Sequence, residues 1–238
     1  MTALSHSMSL PTDLEAWWQL QGEWVEEPND RRGGFSGVQR ITLDGRLLYA
    51  KRQTGHIYRS LRHPFGRPTV LRERDALLGA RQAGVRVPEI VYCAAEQGQQ
   101  GWRALLVTEA LEGFAPIEDW YAGNSREQCG EALYQQLLQQ VAISLARLHK
   151  ARWQHGCIYI KHVFVRVSGE GDTARAEVAL LDLEKCRQRL TCKQAALHDM
   201  LQLRRHSPWS QADWQTLIGY YQVAMGRSFK RLYNATRG

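Results

Sequence analysis

The sequence predicts an α+β fold in which a small, strand-rich lobe comes first and a larger, mainly helical lobe follows. Three observations carry that prediction. Strand-type segments, two of them joined by a tight-turn dipeptide, occupy the chain up to about Glu109. One helical pattern interrupts them after Thr69. From about Gln128 apolar residues recur at helical spacing, and helix dominates the remainder.

The elements follow in order. Asp13 to Gln21, with Leu14, Trp17, Trp18 and Leu20, reads as a short amphipathic helix, and Pro28-Asn29-Asp30 reads as the turn that follows it. Phe35 to Leu43 and Arg46 to Arg52 are strands joined by Asp44-Gly45, a strong hairpin signal. Alternation puts Tyr49 and Lys51 on one face of the second strand and Leu48 and Ala50 on the other. Thr69 caps a helix running to about Ala83 and ended by Gly84. Val85 to Ala94 leads into further strand structure, and Trp102 to Glu109 is an apolar strand. Gln128 to Lys150 is a long helix with Leu138, Val141, Ala142, Leu145 and Leu148 along one stripe. Glu177 to Leu183 is an apolar strand carrying Asp182 at its end, and Lys193 to Tyr233 is mainly helical, with a break at Pro208. The expected organisation is one domain over 1–238, with a first lobe over about 14–109, a hinge over about 109–114 and a second lobe over about 115–235.

Composition bounds the function. The chain has 238 residues, 44% apolar and 23% charged, which suits an ordered globular protein rather than a disordered one. It lacks a run of about 18 apolar residues and a basic start leading into an apolar stretch, so the cytoplasm is the expected compartment. Five cysteines with no Cys-x-x-Cys pair support neither a disulfide framework nor a structural zinc site. The formal charge of +7 favours anionic partners such as nucleotides, phosphorylated sugars or an acidic membrane face. Nucleic acid ranks low, because the basic residues are scattered and no helix-turn-helix or finger spacing occurs.

The order of the chemically capable residues is more specific than any one of them. Gly33, Gly34 and Gly37 mark a glycine-bearing turn between Arg31 and Val38, and Lys51 lies on the strand after the hairpin. Glu73 sits on the helix after it, and Glu109 closes the strand at the expected hinge. A histidine-led segment, His155 to Phe164, follows the long helix, and Asp182 follows later. Phosphoryl transfer needs positioning and charge neutralisation in this arrangement. Glycines let backbone N–H groups approach phosphate oxygens, although taken alone they are better explained by a plain hairpin turn. Lys51 offers a point charge that Glu73 can hold in place, against the alternative of two solvated surface charges. Asp182 suits oxygen ligation of Mg²⁺, and His162 can ligate a metal or contact a phosphate. His155 reads as the brace of its loop. In the protein-kinase catalytic-loop pattern, Cys157 falls on the catalytic aspartate and His162 on the metal-binding asparagine.

These residues resemble the bacterial lipopolysaccharide-core kinases of the WaaP/InaA family, which have a protein-kinase-like fold. The resemblance rests on Glu27-Pro28-Asn29, Arg31 to Gly37, Tyr49 to Gln53, Arg72-Glu73, Val87-Pro88, Thr108 to Leu111, Arg152 to Tyr159, Lys161 to Phe164 and Asp182 to Lys185. It implies an enzyme that uses ATP and Mg²⁺ to phosphorylate a heptose-type sugar of the lipopolysaccharide inner core. Such an enzyme meets a lipid-linked acceptor at the inner face of the cytoplasmic membrane. By position, Lys51 resembles the phosphate-binding lysine, Glu73 its partner, Asp182 the metal-binding aspartate and Asp199 a buried aspartate that steadies the catalytic loop. Catalytic residues are therefore expected at His155, Cys157 and Asp182, cofactor contacts at Gly33, Gly34, Gly37, Lys51, Glu73 and Glu109, and metal ligands at Asp182 and His162. Cys157 departs from the pattern, since a thiol cannot orient and accept the substrate proton as a carboxylate does. Three consequences stay open: a slow kinase, a kinase in which Glu184 or a substrate phosphate serves as base, or a nucleotide-binding module that transfers nothing.

Overall fold

The computed structural model describes residues 10–31, 34–61, 63–99, 101–122 and 125–236. The chain divides into two compact units, residues 1–74 with 88–110 and residues 75–87 with 111–238.

The first unit opens with α1 (Leu14–Gln19), whose N-cap Asp13 accepts the N–H of Ala16 at 2.8 Å. Five strands follow around a hairpin and the start of a helix: β1 (Glu23–Arg31), β2 (Gly34–Leu43), β3 (Arg46–Thr54), then the hairpin β4 (Ile57–Ser60) and β5 (His63–Pro68), helix α2 (Thr69–Gln82), whose residues from Asp75 on belong to the second unit, β6 (Ile90–Gly98) and β7 (Gly101–Glu109). The antiparallel sheet has the order β1-β2-β3-β7-β6. Asp44 and Gly45 both have positive φ, 51° and 74°, as the two-residue hairpin turn between β2 and β3 requires. One sheet face buries Ile41, Leu43, Leu48, Ala50, Leu105 and Val107 against Leu14 and Trp17 of α1.

Two expectations for this unit need correction. Pro28-Asn29-Asp30 does not break the chain. It lies inside β1, which runs to Arg31 with irregular register between Trp24 and Asn29. Since β1 is an edge strand, a proline that donates no ladder bond is tolerated there. The strand expected to end at Arg52 runs on to Thr54, and Arg52 itself is buried; its guanidinium donates to the carbonyls of Trp17, Trp18 and Leu20. It satisfies the carbonyls that the end of α1 leaves without helical partners.

The second unit contains β8 (Ala115–Pro116), α3 (Ile117–Ala122), α4 (Ser125–Lys150), β9 (Trp153–Gln154), β10 (Val163–Ser168), β11 (Arg175–Leu180), β12 (Arg187–Gln188), α5 (Cys192–Arg205), α6 (Gln211–Met225) and α7 (Lys230–Tyr233). Gly130, with φ 74° and ψ 165°, kinks α4 near its start. Beyond the kink, Leu138, Val141, Ala142, Leu145 and Leu148 are fully buried, as their spacing predicts. They belong to a core with Trp214, Leu217, Ile218 and Tyr221 of α6. A capping box of Ser210 and Asp213 starts α6, and Gly226 ends it in the left-handed region. Strands β11, β10 and β8 form a small antiparallel sheet, and β9 pairs with β12. Asp182 does not lie within its strand as expected: β11 stops at Leu180, and Asp182 turns out of it with φ 60°. Among the described residues no helix is long and apolar enough to cross a membrane.

Candidate active site

The first group of functional side chains is built by a strand and a helix. Lys51 and Gln53 are two apart on β3, so they share one face, opposite the buried Leu48, Ala50 and Arg52. Gln53 Oε1 accepts from the Thr69 hydroxyl at 2.7 Å and from the Val70 N–H at 3.1 Å, which fixes the start of α2. His56 adds a 2.9 Å contact from Nδ1 to the same hydroxyl. Two residues advance about 6.6 Å along a strand, and four advance about 6 Å along a helix. Anchoring Thr69 over Gln53 therefore sets Glu73 over Lys51, and the pair closes at 2.8 Å from Nζ to Oε2. Both side chains are largely buried, at 16% and 11% exposure, where an ion pair is little screened.

Other expected cofactor contacts in this unit are placed differently. Gly33 lies outside the described residues. Gly34 and Gly37 lie within β2, where an added Cβ would meet the Thr54 carbonyl oxygen and the Trp24 ring, each at 2.7 Å. Both glycines are thus required for close approach between neighbouring segments, whatever else they do. The Glu109 carboxylate pairs with Arg46, and its N–H donates to the Glu89 carbonyl at 2.9 Å.

The second group lies between β9 and α5, and Asp199 of α5 is its foundation. This fully buried carboxylate accepts the backbone N–H of His155 and, at 3.0 Å, that of Gly156. His149 approaches it at 3.2 Å and His198 at 3.1 Å. Burial alone would raise its pKa, but the hydrogen bonds from His149 and His198 outweigh burial and hold the carboxyl well below the usual range. His149 is itself held by the Tyr221 hydroxyl at 2.7 Å from Nδ1.

His155 is fully buried, and its Nε2 lies 3.0 Å from the Leu181 carbonyl, an acceptor, so Nε2 carries the proton. Burial pushes its pKa down and keeps the ring neutral. Expected among the catalytic residues, it bonds to the residue before Asp182. The Leu181 N–H in turn donates to the His162 carbonyl at 3.0 Å. Asp182 is thereby fixed in its left-handed conformation by bonds on both sides of the preceding residue.

Cys157, His162 and Asp182 converge: one ligand atom from each lies within 4.8 Å of the others. His162 Nδ1 is 2.7 Å from the Cys157 carbonyl, so Nδ1 is the donor. In the neutral ring Nε2 is then an acceptor, and it faces Asp182 Oδ2 at 3.5 Å. Two acceptors facing each other at that distance suit a cation between them, and a histidine whose other nitrogen donates to a carbonyl is oriented as metal ligands are. Burial pushes the Cys157 thiol up, against the pull of Lys185, whose Nζ stands 3.8 Å from Sγ. Gly156, with φ 79°, brings the loop against the Lys185 carbonyl, which an added Cβ would meet at 2.8 Å.

Sequence reasoning gave no role to Gln53 or Lys185. Gln53 carried a usable signal, since alternation places it beside Lys51. Lys185 carried none, because its proximity to Cys157 arises from two loops that only the fold brings together.

Comparison with known proteins bears on the fold and the family. The structure of "WaaP in complex with acyl carrier protein" superposes with a TM-score of 0.68 at 22% identity, covering 92% of this chain and 84% of that one. The fold is accordingly that of WaaP, a mix of helix and strand with a sheet-rich N-terminal region. "Protein InaA" of Escherichia coli (strain K12) is 44% identical over 210 residues, which span 88% of this chain and 95% of the relative. Residues 15–221 match the lipopolysaccharide kinase (Kdo/WaaP) family, and with both groups of side chains in hand the conclusion is plain: the chain belongs to that family of kinase-type phosphotransferases.

Proposed function

We propose that the protein is an ATP-dependent, Mg²⁺-assisted kinase that phosphorylates a heptose-type sugar of the lipopolysaccharide inner core. The observation that carries this reading is the 2.8 Å Lys51–Glu73 pair, set by Gln53 on an adjoining position of the same strand face. Family membership implies ATP as the phosphoryl donor. In this reading the first compact unit is the N-terminal lobe, and its Lys51 neutralises donor phosphates while Glu73 holds the amine in place. The second unit is the C-terminal lobe. Its Asp182 carboxylate and His162 Nε2 fit a divalent cation, which when bound draws charge from the phosphate oxygens. His155 and Asp199 hold the loop that carries Cys157. Lys185, exposed beside that thiol, supplies positive charge to an anionic acceptor. A lipid-linked acceptor places the protein at the inner face of the cytoplasmic membrane, where a formal charge of +7 favours peripheral contact.

A second reading is favoured by Cys157: a nucleotide-binding module without transfer. The thiol stands where a carboxylate base belongs, and burial keeps it protonated. One experiment separates the readings. Purified protein with Mg-ATP and dephosphorylated core oligosaccharide should give a product heavier by one phosphate in mass spectrometry, and Asp182→Ala should abolish it. Binding of ATP with no product from either protein supports the module instead.

A further inference from the structure

We propose that Cys157, His162 and Asp182 form a binding site for a thiolate-seeking divalent cation, Zn²⁺ by chemical class, at the centre of the second unit. The substitution that removes a carboxylate from this loop adds a soft sulfur donor to a histidine and an aspartate. Thiolate, imidazole and carboxylate are a zinc donor set, whereas Mg²⁺ takes a shell of oxygens.

The geometry supports the assignment beyond residue type. His162 Nε2 and Asp182 Oδ2 are 3.5 Å apart. That is about the separation of two light-atom ligands on a tetrahedral zinc, whose bonds are about 2.0–2.2 Å. The Cys157 ligand atom lies within 4.8 Å of both. The ligands are oriented in advance. The Cys157 carbonyl fixes the His162 tautomer, so Nε2 is the atom turned to the cluster. Leu181, pinned through its N–H and its carbonyl, fixes Asp182. Lys185 Nζ, 3.8 Å from Sγ, can donate to a bound thiolate as an outer-shell partner. On binding, a sulfur–zinc bond replaces the Cys157 S–H bond, and the proton leaves to water. Zn²⁺, one thiolate and one carboxylate sum to zero charge, and a fourth position stays open. Occupancy uses both ligands assigned above to magnesium, so zinc holds the kinase off. That regulatory consequence rests on the kinase reading; the binding site does not.

The test uses Co²⁺ as a spectroscopic probe of the metal-free full-length protein, followed by displacement with Zn²⁺. One equivalent of Co²⁺ should produce a near-ultraviolet thiolate-to-cobalt charge-transfer band that Zn²⁺ abolishes. Cys157→Ser should lack the band and bind Zn²⁺ about 100-fold or more weakly. His162→Gln should weaken binding similarly, and both variants should keep the wild-type circular dichroism spectrum. A band that persists in Cys157→Ser places the metal on another cysteine and overturns the site, as does the absence of any band in the wild type. Where phosphoryl transfer is measurable, Zn²⁺ should inhibit the wild type at about 100-fold lower concentration than it inhibits Cys157→Ser. Inhibition of both alike overturns the regulatory step while leaving the spectroscopic result to judge the site.

Discussion

Replacing Asp199 by asparagine tests how the site is held together. The carboxylate accepts from His155 N–H and His149 through Oδ2, and from Gly156 N–H and His198 through Oδ1. An asparagine keeps one acceptor oxygen and turns an NH₂ group toward the other pair of groups. At least one backbone donor and one ring then lose their acceptor beside a side chain that is itself fully buried. An orphaned buried donor costs about 1–3 kcal/mol, and here two are orphaned. A loss on the order of 4 kcal/mol follows, or a fall in melting temperature on the order of 10 °C for a chain of this size. The sign with pH is fixed by the depressed carboxyl. The charged form stabilises the fold above the unfolded carboxyl value, about 3.9, and that contribution is lost as pH falls through the lower folded value. Thermal melts followed by circular dichroism should therefore show the full gap between wild type and Asp199→Asn at pH 7, narrowing only below about pH 4. A variant that melts within about 2 °C of wild type at pH 7 refutes the reasoning. So does a gap that does not change on acidification.

Three further substitutions probe the remaining supports. Gln53→Leu removes the acceptor for Thr69 and Val70, should cost about 1–3 kcal/mol in chemical denaturation, and should raise KM for ATP by releasing Glu73 from Lys51. Gly156→Ala combines φ 79° with a 2.8 Å approach to the Lys185 carbonyl. It should destabilise by about 1–3 kcal/mol, and an unchanged denaturation midpoint contradicts the close approach. Cys157→Asp should raise the rate of phosphoryl transfer about 10²–10⁴-fold, with Cys157→Ser giving no gain. A flat response moves the base elsewhere, with Glu184 the next candidate.

The parts legible in the sequence are those with local signatures. Asp44-Gly45 announced its hairpin because few residue pairs accept two successive positive φ values. The apolar stripe of α4 announced a buried helix. Lys51 and Glu73 could be paired from the order of elements alone. What escaped depended on distant contacts or on exposure. The β4–β5 hairpin has no alternating buried face to betray it, with Leu61 and Phe65 at 104% and 93% exposure. Pro28 misled because turn chemistry and edge-strand tolerance look alike in one dimension. Thr69 begins α2, but the cap on its backbone comes from Gln53. The conformation of Asp182 at φ 60° has no signature in an aspartate that follows an apolar run.

Lys51 and Arg52 are consecutive cations on β3 with opposite destinations, one toward α2 and one toward the sheet core. A slip of one residue between β2 and β3 would exchange them. The flexible amine would be driven among Leu14 and Trp17, and the guanidinium fork would be offered to Glu73 in its place. The two-residue turn at Asp44-Gly45 counts that register, so the identity of the positive group presented to an anion is decided by a bend six residues upstream of it.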